Sequence, residues 1–298
     1  MRLFVIGSAN IDLTFRVPSM PRPGVTEVCP YTMGFGGKGA NQAVQAARLG
    51  AGVTFCGKVG DDPFGPAIIE QLRREGIAVD HVSTAPNMLT GTAVILVEPS
   101  GQNSIITHAG PNVMLTADDV RRASSAITSA DIFLATLEIH AEPAVAAFGI
   151  ASEAGIRTLL NPAPPVDFPH ELLQLVDICL PNESELAALT GMPAGSMDEL
   201  LAAVETLRRK GPKAVIVTLG ERGVFLLDDG GSELIAGREV HAIDTSGAGD
   251  SFSASLAVAL GEGRSLRDAA RWANAISAIS VTRMGTQASF PRREEVDA

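Results

Sequence analysis

The sequence predicts an α/β fold: a central, mostly parallel sheet covered by helices on both faces, with a small antiparallel β-sheet inserted into it. Strand-like runs at Val53–Cys56, Ile132–Ala135, Arg157–Leu160, Ile178–Leu180 and Ala214–Thr218 alternate with helical stretches such as Pro63–Arg74, Glu142–Glu153 and Met197–Arg209. Repeated β–α alternation argues for crossover helices between parallel strands. Two regions break the pattern: 12–33, rich in proline, and 90–107, where Thr92–Val97 and Ser104–Thr107 flank the turn Pro99-Ser-Gly-Gln-Asn103. The expected division is a large unit of residues 1–11, 34–89 and 108–298, with 12–33 and 90–107 forming the inserted sheet.

At the N-terminus, Leu3-Phe-Val-Ile-Gly7 reads as a buried strand, followed at once by the polar groups of Ser8-Ala-Asn10-Ile-Asp12. Ligands of open α/β sheets bind at such carboxyl ends. Next, Gly34-Phe-Gly36-Gly37-Lys38-Gly39-Ala-Asn41-Gln42 leads into a helix through Ala43, Val44, Ala46, Ala47 and Leu49. Gly34, Gly36 and Gly39 satisfy G-x-G-x-x-G, with Asp61 downstream, but a dinucleotide fingerprint follows a buried strand and Cys29-Pro-Tyr-Thr-Met33 is not one. A Walker A loop fails too, because Gly39 follows Lys38 and Thr32 stands where the first glycine belongs. Lys38, Asn41 and Gln42 instead suit hydrogen bonding to a polyhydroxylated ligand.

The segment Asp244-Thr-Ser-Gly-Ala-Gly-Asp-Ser-Phe252 places a carboxylate among small residues where an apolar helix begins, and that helix closes at Gly261. Free N–H groups at Gly247, Ala248 and Gly249 would let an anion approach the backbone closely. Asp250 would then accept a proton from an attacking hydroxyl, a role worth about 10²–10⁴-fold in rate. In a loose phosphoryl-transfer transition state the proton leaves late, so placement matters more than basicity. Without further support, the same residues read equally well as a tight loop and an acidic first turn.

Gly36–Gln42 and Asp244–Asp250 resemble the two signatures of the ribokinase (PfkB-type) carbohydrate kinases. Gly7–Asp12, Thr107–Gly110, Leu137-Glu138, Asn161–Pro164, Pro181–Glu185, Thr218–Gly223 and Val281–Gly285 are similar to further segments of that family, in the same order. The resemblance covers nearly the whole chain. It implies a ribokinase-like fold and an ATP-dependent kinase acting on the primary hydroxyl of ribose. It also leaves open another sugar, a keto-sugar acid or a nucleoside and, in a different class, a catalytically silent sugar sensor.

Carried over residue by residue, the resemblance implies that Asn10, Asp12, Gly37, Lys38, Gly39, Asn41 and Glu138 hold the sugar. Asp250 would be the base, Gly247–Gly249 the anion hole, and Thr218, Gly220, Gly223, Asn182 and Asn274 the nucleotide site. Glu185 would organise Mg2+ through water; Asp244, Ser246, Ser280, Arg283, Gly285 and Ser289 match a monovalent-cation site expected to take K+, most of them through carbonyls. Read alone, Asp12 could simply turn the chain, and Asn182 with Glu183 and Glu185 could be an N-cap with first-turn acids. The inserted sheet becomes a lid over the sugar, and in the family such lids pair between subunits, implying a homodimer.

Composition fits a soluble, cytoplasmic enzyme. The chain has 298 residues, 46% hydrophobic, enough for a sizeable core. Its 23 Lys and Arg against 34 Asp and Glu give a net charge of −11, and no basic run offers a nucleic-acid surface. Cys29, Cys56 and Cys179 lack C-x-x-C spacing and are expected as reduced thiols; the five histidines lack metal-ligand spacing. No secretory signal and no membrane span are evident.

Overall fold

The computed structural model describes residues 1–100, 102–165 and 168–296. Gly101, in the turn expected at 99–103, and residues 166, 167, 297 and 298 of the large unit lie outside the described residues. Thirteen strands are formed among those described: β1 (Arg2–Ile6), β2 (Asn10–Arg16), β3 (Tyr31–Gly36), β4 (Gly52–Gly60), β5 (Ala78–Ala85), β6 (Thr92–Val97), β7 (Asn103–His108), β8 (Ile132–Thr136), β9 (Arg157–Asn161), β10 (Ile178–Cys179), β11 (Ala214–Thr218), β12 (Val224–Asp228) and β13 (Gly231–Ile235). Nine build one sheet in the order β13-β12-β11-β10-β9-β8-β1-β4-β5. Every neighbour pair from β11 to β5 is parallel, and the β11-β12-β13 edge is antiparallel.

Alternation along β1 sends its side chains to two separate cores. Leu3 and Val5 join Val44 of the Lys38–Arg48 helix, Leu256 of the Ala248–Gly261 helix and Ala273 of the Leu266–Ser280 helix. Phe4 and Ile6 join Phe148 of the Ala141–Glu153 helix and Leu200 and Val204 of the Met197–Arg209 helix. The sheet is therefore buried on both faces, which is why its strands read as continuous apolar runs. On the second side Phe133 packs edge-on against Phe148 at a centroid distance of 4.9 Å. Truncating either ring to alanine would cost about 3–5 kcal/mol.

The remaining strands form a four-stranded sheet, β3-β2-β6-β7. Its outer pairs are antiparallel, while β2 runs parallel to β6 at the centre, with Asp12 beside Gly34 on one side and Ala93 on the other. Strand pairing begins at Asn10 and reaches Gly36, so it extends beyond 12–33 at both ends. Between β2 and β3, residues 17–30 form no strand; Pro18, Pro21, Pro23 and Pro30 lack the N–H that a ladder needs.

Candidate active site

Polar groups collect where β1, β8, β9, β10 and β11 end, and two helices begin beside them. The Lys38–Arg48 helix starts from Gly37, and Gly39 packs directly on the β1 exit: a Cβ at Gly39 would lie 2.6 Å from Gly7 Cα. The Ala248–Gly261 helix starts from Gly247, whose φ of 76° lies in the left-handed region that favours glycine. These turns bring the N-termini of the two helices towards one space. Their first N–H groups and dipoles favour negative charge there.

That space is a cavity of about 220 Å³ lined by Lys38, Asn161, Asn182, Glu185, Thr218, Thr245, Gly247, Ala248, Gly249, Asp250 and Ser253, with Ala163 and Leu180. Asp250, 5% exposed, occupies the first turn of its helix. Asn41 Nδ2 donates to its Oδ2 at 2.9 Å, and Gln42 Nε2 donates to its Oδ1 at 3.1 Å. The same Gln42 nitrogen donates to Asn161 Oδ1 at 3.1 Å. Burial raises the Asp250 carboxyl above the ordinary carboxylate range; the Lys38 ammonium and the Asn41 and Gln42 amides oppose that shift. Placement is expected to matter more than basicity for this base, and the carboxyl's affinity for protons is nevertheless increased by its burial.

Lys38 is the cation of the cluster. Asp250 foremost holds its ammonium above the usual lysine value, with Glu138, Glu185 and Asp12 adding to the effect against desolvation. Glu138, just beyond β8, accepts from Ser8 Oγ and from the Lys38 backbone N–H at 3.1 Å. Asp12 is pushed up to about 6, chiefly by burial and then by Glu138 and Asp250. Asn10 Oδ1 accepts from Asn112 Nδ2 at 2.7 Å, and Asn112 Oδ1 accepts from the Ala9 N–H at 3.0 Å.

Asn182 and Glu185 form the N-cap and first-turn acid read from the sequence, and both line the cavity. Asn182 caps the Glu183–Thr190 helix, its side chain accepting from the Glu185 N–H, while Glu185 Oε2 accepts from the Asn182 N–H at 2.9 Å. Glu185 also lines the cavity, and burial raises its pKa despite the Asn182 N–H and Lys38.

Other expected residues lie beyond the cavity lining. Gly220 and Gly223 flank the turn after β11, and the buried Asn274 donates to Ala236 O at 2.8 Å. Asp244 accepts from the Ser246 and Gly285 N–H groups, each at 2.9 Å, joining two segments of the expected cation loop. The hydroxyls of Ser280 and Ser289 donate to Ser277 O and Thr286 O, and Arg283 pairs with Glu295 at 2.6 Å. Sequence reasoning missed Asn112 and Gln287. The former follows the quoted Thr107–Gly110 segment closely; Gln287, which donates to Asn41 Oδ1 at 3.1 Å, carried no local signal.

The pfkB family carbohydrate kinase profile matches residues 1–293. A ribokinase of Haemophilus influenzae is 40% identical over 294 residues, covering 98% of this chain and 96% of that protein. A deoxyribokinase of Salmonella typhi is 37% identical, covering 99% of this chain and 97% of its own. The structure of Arabidopsis thaliana ribokinase complexed with ribose and ATP superposes with a TM-score of 0.91 at 34% identity, covering 99% of this chain and 97% of that one. With the profile and these relatives spanning almost all of its length, the chain belongs to the pfkB family of carbohydrate kinases.

Proposed function

We propose that the protein transfers the γ-phosphoryl group of ATP to the primary hydroxyl of D-ribose, giving ribose 5-phosphate and ADP. One observation carries this reading: a buried carboxylate, Asp250, is held by two amides beside the open N-terminus of its helix, in a cavity that also contains Lys38. Asp250 takes the hydroxyl proton as the hydroxyl oxygen bonds to the γ-phosphorus and the bond to ADP breaks. The N–H groups of Gly247 and Gly249, with that of Ala248 on leaving the Thr245 carbonyl to which it donates at 3.2 Å, stabilise the charge on the transferring group. Asn10, Asp12, Gly37, Lys38, Gly39, Asn41 and Glu138 hold the sugar; Asn182, Thr218, Gly220, Gly223 and Asn274 hold the nucleotide. The four-stranded sheet acts as a lid that excludes water.

Glu185 fits a magnesium site of the kind held largely by water and phosphate, since its Oε2 is engaged by Asn182 and its carboxylate lines the cavity. The ion would neutralise phosphate charge when bound with ATP. The Asp244, Ser246, Ser280, Arg283, Gly285 and Ser289 segments fit a potassium site, because Asp244 joins the two loops that would offer carbonyls. Replacing potassium by a large organic cation is expected to lower activity.

No helix of the described residues is long and apolar enough to cross a membrane. With its acidic charge and three free cysteines, the protein is read as cytoplasmic, without nucleic-acid or membrane partners. The similarity to a deoxyribokinase favours deoxyribose as the second substrate reading. ADP formation with magnesium-ATP and potassium across ribose, deoxyribose, fructose, keto-deoxygluconate and nucleosides tests the assignment. Preference for ribose is expected; preference for another acceptor reassigns the pocket, and silence throughout supports a sensor.

A further inference from the structure

We propose that Gln287 is a positioning residue for phosphoryl transfer: from the turn near the C-terminus it fixes the Asn41 amide and, through it, the catalytic carboxylate. The proposal rests on the reading of Asp250 as the base.

Gln287 is 5% exposed, and its Nε2 donates to Asn41 Oδ1 at 3.1 Å. That bond occupies Asn41 Oδ1 and so holds the amide in the orientation that the acceptor-only Asp250 carboxylate requires. With Oδ1 engaged as an acceptor, Nδ2 points at Asp250 Oδ2, 2.9 Å away. A flipped amide would set an oxygen against a carboxylate and remove one of its donors.

The turn itself is clamped to the same helix. Arg48 Nη1 donates to the carbonyls of Gln287 and Phe290, and Gln45 Nε2 donates to Pro291 O at 3.1 Å. Arg48 pairs with Glu75 at 2.6 Å, with both side chains largely buried. Stability does not explain a glutamine here: its buried Oε1 has no hydrogen-bond partner among the described residues. An apolar side chain of the same size would avoid that unmet acceptor.

The charged groups facing Asp250 are Lys38, Glu138, Asp12 and Glu185, and its direct donors are Asn41 and Gln42. Loss of the Asn41 donor leaves the carboxyl more ready to keep its proton. Gln287→Met removes the donor at similar volume. It is expected to lower kcat about tenfold, with the KM for magnesium-ATP within about twofold, and to move the acidic limb of kcat to higher pH.

In an Asn41→Ala background the same change is expected to alter kcat by less than about twofold, because both residues act through one bond. Additive losses, or an unmoved acidic limb, overturn the proposal. Should the Met variant not fold, Gln287→Glu reverses the polarity presented to Asn41; kcat at neutral pH within about twofold of the parent then overturns it. Asp250→Asn run alongside separates the two ideas. Retained turnover there removes the base itself, whereas lost turnover with a silent Gln287→Met removes only the relay.

Discussion

Asn41 Nδ2 donates to Asp250 Oδ2 at 2.9 Å, joining the first turns of two helices through residues 209 positions apart in the chain. The Asn41 amide proposed to hold the sugar is also engaged by Asp250 on one side and Gln287 on the other, which leaves its second Nδ2 hydrogen for a ligand. The bond orients the carboxylate and lowers its proton affinity against the effect of burial. Asn41→Ala is therefore expected to lower kcat about ten- to a hundredfold, the worth of a hydrogen bond to a charged group. Steady-state kinetics check this, and an unchanged kcat contradicts the positioning role.

Gly249 offers a clean separation of folding from function. A Cβ there meets no atom within 4 Å, and the residue sits in the first turn of a helix. Gly249→Ala is thus expected to leave the thermal midpoint unchanged or raised, by up to about 1 kcal/mol of stability. Gly249 lines the cavity in which the proposed transfer takes place, so the methyl would narrow the approach of the phosphoryl group, and kcat is expected to fall about a hundredfold. A destabilised variant, or one with normal turnover, contradicts the open-backbone account.

Asp12 links pH to stability and, on the proposed assignment, to sugar binding. Its folded pKa, raised from 3.8 to about 6, means that the folded protein keeps a proton which the unfolded chain has released. Unfolding free energy therefore falls as pH rises through that window. Asp12→Asn is expected to flatten this slope and to stabilise the protein at pH 8 by on the order of 1–2 kcal/mol. The same change should raise the KM for sugar. Denaturant unfolding at pH 5 and pH 8 tests the sign; a variant less stable at pH 8 than the parent contradicts it.

The four-stranded sheet leaves apolar groups at its edges. Strand register places Met33, Leu13, Val94 and Ile106 in one row across it, with Met33 56% and Ile106 68% exposed at the two ends. Exposed edge strands of this kind call for a cover. Pairing of two lids would supply it, so sedimentation is expected to report a homodimer at micromolar concentration and a monomer for Ile106→Lys. A monomeric parent protein contradicts the pairing.

The sheet and its helices could be read from the sequence because both cores are built from side chains whose spacing matches their element. Met197–Arg209, for example, is apolar at Leu200, Ala203, Val204 and Leu207 and opens with the capping pair Ser196 and Glu199. The β12–β13 hairpin was not anticipated, although Asp229-Gly230 is a turn signal and joins Asp228 to Gly231 in register. Glycine-rich turns announced the backbone of the site. The roles of Gln42, Asn112 and Gln287 were not readable, since each depends on a partner about 100 or more positions away, and a polar residue in a short turn or a helix's first turns carries no mark of what it will meet.

The most direct measurement is ADP formation from magnesium-ATP and ribose by Asp250→Asn beside the parent protein, with ribose binding followed in parallel. The asparagine keeps the shape and removes the base. Turnover is expected to fall by about 10²–10⁴-fold while ribose affinity stays within a few-fold. Near-normal turnover in that variant would contradict the assignment of Asp250 as the proton acceptor.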